Sequence, residues 1–135
     1  MSPQQKSIVA HTWKRITPFA DAAVREFYDR LFEIDPTTRP LFQATDMGEQ
    51  RRKLLSALAL VVDGIDHLEA LLPSLEALGR RHARIGVTAR HYDAVGDALL
   101  WTFAKSLGAD WTPEAEAAWS NAYALLAGVM RRHAE

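Results

Sequence analysis

The stretch Asp66–Gly86, DHLEALLPSLEALGRRHARIG, places Leu68, Leu71, Leu75, Leu78, His82 and Ile85 at successive steps of 3, 4, 3, 4 and 3. Such spacing is one apolar stripe of an α-helix, and a histidine occupies a place where leucine is the default. An inward imidazole is either a core side chain satisfied by a backbone group or a ligand to something held in the interior. The helix itself leaves both readings open. Pro73 implies a start or kink inside the stretch and Gly86 a C-terminal stop. Gly79, three residues before His82, predicts an open face beside the imidazole; a helical glycine costs about 1 kcal/mol relative to alanine, so a packing or ligand reason is expected. Arg80, Arg81 and Arg84 form either a solvated basic face or a rim that can pair with carboxylates.

Working outward, 135 residues with 48% hydrophobic and 24% charged content describe one ordinary globular domain. A net charge of -1 gives no general attraction to nucleic acid or to an anionic membrane. The absence of cysteine excludes disulfides, thiolate zinc sites, iron–sulfur clusters and a cysteine nucleophile. The N-terminus lacks the order of a signal peptide, and the longest apolar run, LLSALALVV, is too short to span a bilayer. A cytoplasmic protein is expected.

Strand-like alternation and internal repeats are absent, and the helix signals recur along the chain. Ser2-Pro3-Gln4-Gln5 reads as a capping box opening a helix that stops near Pro18. A second helix, Phe19 to Ile34, has a wide apolar face that includes Tyr28. Asp35-Pro36 opens a short helix ending near Leu41-Phe42, and Gln43 to Gly48 reads as a loop. The third long helix, Glu49 to Asp63, carries Leu54, Leu58 and Val61, and the same row reaches back to Gln50. Gly64 and Asp66 end it and cap the His82 segment. Thr88 caps the next helix, which carries Tyr92, Val95, Leu99 and Phe103 and ends at Gly108. Thr112-Pro113-Glu114 opens the last. The fold class expected is all-α, with six to eight helices of unequal length, unlike a regular four-helix bundle.

No Gly-rich phosphate loop, HExxH, GxSxG or paired cysteine motif occurs, and no inward Glu-x-x-His pair suggests a di-metal bundle. Among the other histidines, His11, His67, His91 and His133 occupy positions where surface residues are the expectation. His82 alone stands out as a candidate ligand.

The order and spacing of Tyr28, Phe42, Gln50, Leu54, His82 and Tyr92 resemble the globin family across essentially the whole chain. The words FYDRLFEIDPTTRPLF (27–42), EQRRKLLSALALVVDGIDHLEALLPSLEALGRRH (49–82) and HYDAVGDALL (91–100) carry the resemblance. It is narrowest to bacterial single-domain globins, of the Vitreoscilla haemoglobin type, and to the haem domains of flavohaemoglobins. It implies a globin fold over residues 1–135, with haem b (iron protoporphyrin IX) as cofactor and His82 as the iron ligand. Phe42 would wedge the haem, Tyr28 and Gln50 would be the distal polar pair, and Leu54 would pack over the open coordination site. Arg81, Val87 and Val95 would complete the haem environment, and Tyr92 would steady His82 from behind. In flavohaemoglobin-like proteins a glutamate completes a histidine–tyrosine–glutamate arrangement. That position is Ala134 here, with Glu135 one residue late, which argues against a strongly electron-donating, peroxidase-like iron.

The function implied is reversible binding of oxygen, and of nitric oxide or carbon monoxide, at a five-coordinate iron. An alternative is nitric oxide dioxygenation, with electrons drawn from an external reductase because the chain stops where a reductase domain would begin. A haem-based gas sensor is a third possibility. The expected protein is a monomer or homodimer, with no nucleic-acid or membrane partner.

Overall fold

The computed structural model describes residues 1–134. Six α-helices follow in order: α1 (Pro3–Ile16), α2 (Ala20–Ile34), α3 (Met47–Asp63), α4 (Leu72–Arg84), α5 (Ala89–Leu107) and α6 (Pro113–Met130). Short 3-10 turns link or extend them, at Thr17–Phe19, Pro36–Phe42, Ile65–Leu71, Gly108–Asp110 and Arg131–His133. No described residue is in a strand. None of the helices is long and apolar enough to cross a membrane.

Most boundaries follow from local chemistry. The Ser2 hydroxyl accepts from the Gln5 amide at 3.1 Å, while the Gln5 side chain accepts from the Ser2 amide at 3.4 Å. Thr112 caps α6 by accepting from the Ala115 amide at 3.1 Å. Gly86 (φ 98°) and Gly108 (φ 55°) take the left-handed backbone that ends α4 and α5 without a steric cost. Between α4 and α5 the chain closes tightly, and the Val87 amide donates to the His82 carbonyl at 3.0 Å.

Three boundaries differ from the sequence reading. The loop before α3 is shorter, because the Asp46 carboxylate accepts from the amides of Gly48 (2.9 Å) and Glu49 (3.3 Å) and starts the helix at Met47. The stripe around His82 is not one helix: His67 has non-helical dihedrals, and α4 starts at Leu72 with Pro73 in its first turn. Asp66 does not cap it, and lies 3.8 Å from Lys6. Ile85, the last member of the stripe, is 60% exposed, because α4 has ended and the chain turns away.

The main core joins α1, α2, α3, α5 and α6. Trp13, Phe103 and Trp119 meet there, with ring centroids 6.3 Å apart for Trp13–Trp119 and 4.5 Å for Phe103–Trp119. Each buried large apolar side chain contributes about 1.5–3 kcal/mol, which makes this aromatic cluster the anchor of the fold. The indole N–H of Trp119 donates to the Thr12 hydroxyl at 2.8 Å, and that hydroxyl donates to the Ile8 carbonyl at 2.7 Å. Leu75, Tyr92, Ala127 and Met130 form a second, smaller cluster between α4, α5 and α6.

Gly79 decides how α4 meets α6. A Cβ there would stand 2.7 Å from the carbonyl oxygen and 2.8 Å from the Cα of Met130. The glycine is a close-approach site between two helices, filled by backbone. It is not the open face beside His82 that its spacing suggested.

Candidate functional site

Between the two clusters lies a cavity of about 900 Å³, within the range of small-molecule and cofactor sites. Its walls come from α2, α3, α4, α5 and α6 and from the Pro36–Phe42 turn. Most of its exposed lining is carbon, from Phe27, Leu58, Val61, Leu71, Leu78 and Leu99 among others. Many of these side chains are only half-buried. Leu54, Val61, Leu71, Leu78, Val87 and Val95 all turn inward yet keep contact with empty space. An amphipathic helix normally buries its apolar stripe against protein, whereas α3 buries only Leu58 and Val62 fully. Such a void forfeits both dispersion and desolvation energy unless something apolar fills it.

His82, on α4, lines the cavity. Its Nδ1–H donates to the Leu78 carbonyl at 2.9 Å, one turn back on the same helix. That bond fixes the tautomer. Nε2 carries the lone pair and has no hydrogen-bond partner among the described residues. Burial lowers the imidazole pKa against the opposing effect of the Leu78 hydrogen bond, and the nearby Arg81 guanidinium lowers it further, which favours the neutral ring. Both explanations for an inward histidine hold together here: a backbone group satisfies one nitrogen, and the other remains a potential ligand atom.

Tyr92 lies behind the ring, with centroids 6.5 Å apart and planes inclined by 25°. Its phenol oxygen is buried with no hydrogen-bond partner among the described residues. Gly96 helps to set the position of Tyr92, because a Cβ there would stand 2.8 Å from the Tyr123 ring; the glycine lets Tyr123 lie flat on α5 and donate to the Tyr92 carbonyl at 2.6 Å. The Arg131 guanidinium lies 5.9 Å from the Tyr92 ring centre, held by the Ala89 carbonyl (2.8 Å) and the Asp93 carboxylate (3.1 Å). Ala134 packs on this cluster as a small apolar group, and Glu135 lies outside the described residues.

Tyr28, on α2, and Gln50, on α3, meet at the same cavity, with the Gln50 amide donating to the Tyr28 oxygen at 3.1 Å. The phenol accepts in this bond, so its own proton remains free to donate. Burial raises the Tyr28 pKa against the opposing effects of Gln50 and Arg51, which keeps that proton in place. Phe42 packs edge-on to Tyr28 (5.5 Å) and Phe32 (5.7 Å), which holds its ring at the cavity wall. Leu54, Val87 and Val95 are apolar wall, and the exposed Arg81 stands at the rim. All nine residues singled out in the sequence therefore border one space.

A family model, Globin, matches residues 25–130. The chain belongs to the globin family. Its helices superpose on those of a bacterial globin from Campylobacter jejuni with a TM-score of 0.84 over 98% of this chain and 95% of that one, at 23% identity. An engineered carbene transferase from Rhodothermus marinus, assigned as a nitric oxide dioxygenase, aligns with a TM-score of 0.86 and 32% identity, covering 98% of this chain and 92% of that one. Among curated proteins, a flavohemoprotein of Bordetella parapertussis is 33% identical over 132 residues, 96% of this globin and 33% of the relative. A flavohemoprotein of Rhodopirellula baltica is 33% identical over 122 residues, 86% of this globin and 30% of the relative. This globin spans about a third of the length of these curated relatives. Globins and flavohaemoproteins bind haem.

Two histidines of this globin are not the surface residues their positions suggested. His91 is 8% exposed and lines the cavity. His133 is half-buried, its Nε2 at 2.5 Å from Glu76, whose carboxyl this contact, followed by Arg132, holds below its ordinary range. The signal for His91 was present but faint: it stands three residues after the Thr88 cap, where a side chain can reach back to the cap amide.

Proposed function

We propose that this globin holds haem b in the cavity with His82 as the residue that would ligate its iron, and that the loaded protein binds oxygen reversibly. The observation that carries the reading is the His82 ring, tied at Nδ1 to Leu78 and unpartnered at Nε2, in an apolar cavity shared with Tyr28 and Gln50. The donor chemistry fits: a neutral imidazole nitrogen suits iron, the half-buried aliphatic wall suits a porphyrin face, and Arg81 at the rim suits a carboxylate. When bound, the haem supplies an iron with a position open to oxygen, nitric oxide or carbon monoxide.

The chain's own residues set the character of that site. Leu78 fixes which imidazole nitrogen is offered. Phe42, packed between Phe32 and Tyr28, is a rigid edge against which a flat cofactor can be wedged. Phe27, Leu58, Val95 and Leu99 exclude water, and Leu54 covers the gas side. Tyr28 donates its free proton toward a bound gas, while Gln50 orients that phenol. A hydrogen bond to a charged partner is worth about 1.5–3 kcal/mol, enough to slow gas escape by roughly ten- to a hundredfold. This points to tight binding.

Absorption spectra of the ferric, ferrous and oxygenated protein test the proposal. A strong Soret band on haem addition and a reversible shift under oxygen are expected. A purified protein that develops no such band would end the haem reading.

A second reading, nitric oxide dioxygenation with an external reductase, is favoured by the kinship to the flavohemoproteins and to the Rhodothermus marinus protein. Sustained turnover with an added reductase supports it; a single turnover that cannot be regenerated favours the carrier.

A further inference from the structure

A chain of polar groups links the first turn of α5 to the Pro36–Phe42 turn beside the cavity, and the proposed gas chemistry does not account for it. His91, in the first turn of α5, accepts at Nδ1 from the Thr88 amide at 3.0 Å. Its Nε2 lies 3.0 Å from the Thr37 hydroxyl, on the Pro36–Phe42 turn. That hydroxyl donates to the Asp35 carboxylate at 2.5 Å, so it has only an acceptor left for His91. The directions follow without ambiguity: His91 is the Nε2–H tautomer, donating to Thr37, which donates to Asp35. His91 is 8% exposed and the Asp35 side chain only 4%, whereas Thr37, which joins them, and Arg90 are exposed. Asp35 also accepts from the Thr37 amide at 3.0 Å and faces the Arg90 guanidinium at 3.5 Å.

We propose that His91 is a positioning residue, a polar bolt that holds the Pro36–Phe42 wall against α5 and so sets how firmly the cavity keeps its occupant. The two parts it joins carry Phe42 on one side and Tyr92 and Val95 on the other, all of which line the cavity. His91 and Thr38 line it too, so the bolt borders the space directly. Separated by 54 residues in sequence, Thr37 and His91 form a long-range link. The need for the link lies on the His91 side: its ring is 8% exposed, so an Nε2–H that lost the Thr37 hydroxyl would be left poorly satisfied.

The two nitrogens can be tested separately. Asparagine places an acceptor near the Nδ1 position and preserves the cap on Thr88, but cannot reach Thr37. Glutamine places a donor near the Nε2 position and preserves the link to Thr37. Two quantities are read on the full chain: amide hydrogen exchange of residues 37–42 without haem, and the rate of haem transfer from the loaded protein to an excess of apomyoglobin. The bolt requires His91→Gln to stay near the wild type in both, and His91→Asn to exchange and to release haem about fivefold faster or more, the worth of one hydrogen bond. If His91 serves only to cap α5, the order reverses, and the proposal is overturned. The haem arm rests on the proposed function; the exchange arm does not. A wild type that takes up no haem removes that function, while the exchange ratio still decides the bolt.

Discussion

The side-chain amide of Gln50 donates to the phenol oxygen of Tyr28 at 3.1 Å, joining α3 to α2 at the cavity wall. The direction of the bond matters more than its length. An amide that took the phenol's proton would leave no donor for a bound gas; one that occupies a lone pair leaves the proton available.

From this follows an asymmetry between the two residues. Tyr28→Phe removes the donor and should speed oxygen dissociation roughly tenfold or more. Gln50→Leu removes only the group that orients the phenol, and should have a smaller effect. Stopped-flow displacement of oxygen by carbon monoxide measures both. An unchanged rate in Tyr28→Phe would remove the role proposed for it.

Two helical glycines should respond to alanine with opposite sign. At Gly79 the new methyl group meets the Met130 backbone at 2.7 Å, and backbone in a helix cannot give way. Gly79→Ala should lose about 1–3 kcal/mol of stability. Gly128 has nothing within 4 Å of a built Cβ and is exposed on α6, so Gly128→Ala should gain up to about 1 kcal/mol. Denaturant unfolding of the apoprotein decides both.

Thr12→Val keeps shape but strands the Trp119 indole N–H, which is otherwise satisfied at 2.8 Å in the main core. The expected cost is about 1–3 kcal/mol. A Thr12→Ser variant keeps the hydroxyl and should recover part of it, measured by thermal unfolding.

Asp35 gives the protein an acid-sensitive element. The Thr37 hydroxyl, then its amide and the Arg90 charge, hold the Asp35 carboxyl below its ordinary value of 3.8, overcoming the opposing effect of burial. A carboxyl with a lower pKa folded than unfolded contributes stability that is fully present above the unfolded value and is lost as pH falls through the folded one. The stability difference between the wild type and Asp35→Asn should therefore stay level from about pH 7 to 5 and shrink below about pH 4. Urea midpoints across that range check it; a difference that grows on acidification would contradict the assignment.

Ser2, Thr112, Gly86 and Gly108 act on groups within a few residues of themselves, so the sequence alone determined where their helices begin or end. Apolar periodicity likewise determined that the chain is all-helical and which faces turn inward, since a helix repeats every 3.6 residues whatever it later packs against. His82 was legible as an inward imidazole for the same reason. What periodicity cannot state is whether an inward face meets protein or empty space, and that distinction separates a core from a cofactor site. By periodicity alone Leu54 and Leu78 are ordinary core positions; only the tertiary packing leaves them bordering a cavity. Gly79 read as an open face with either a packing or a ligand reason, and the packing reason holds, because the face meets the Met130 backbone. His91 read as surface because its partner Thr37 lies 54 residues away. Local chemistry fixed the elements, and long-range contacts, which no spacing encodes, decided what each inward group faces.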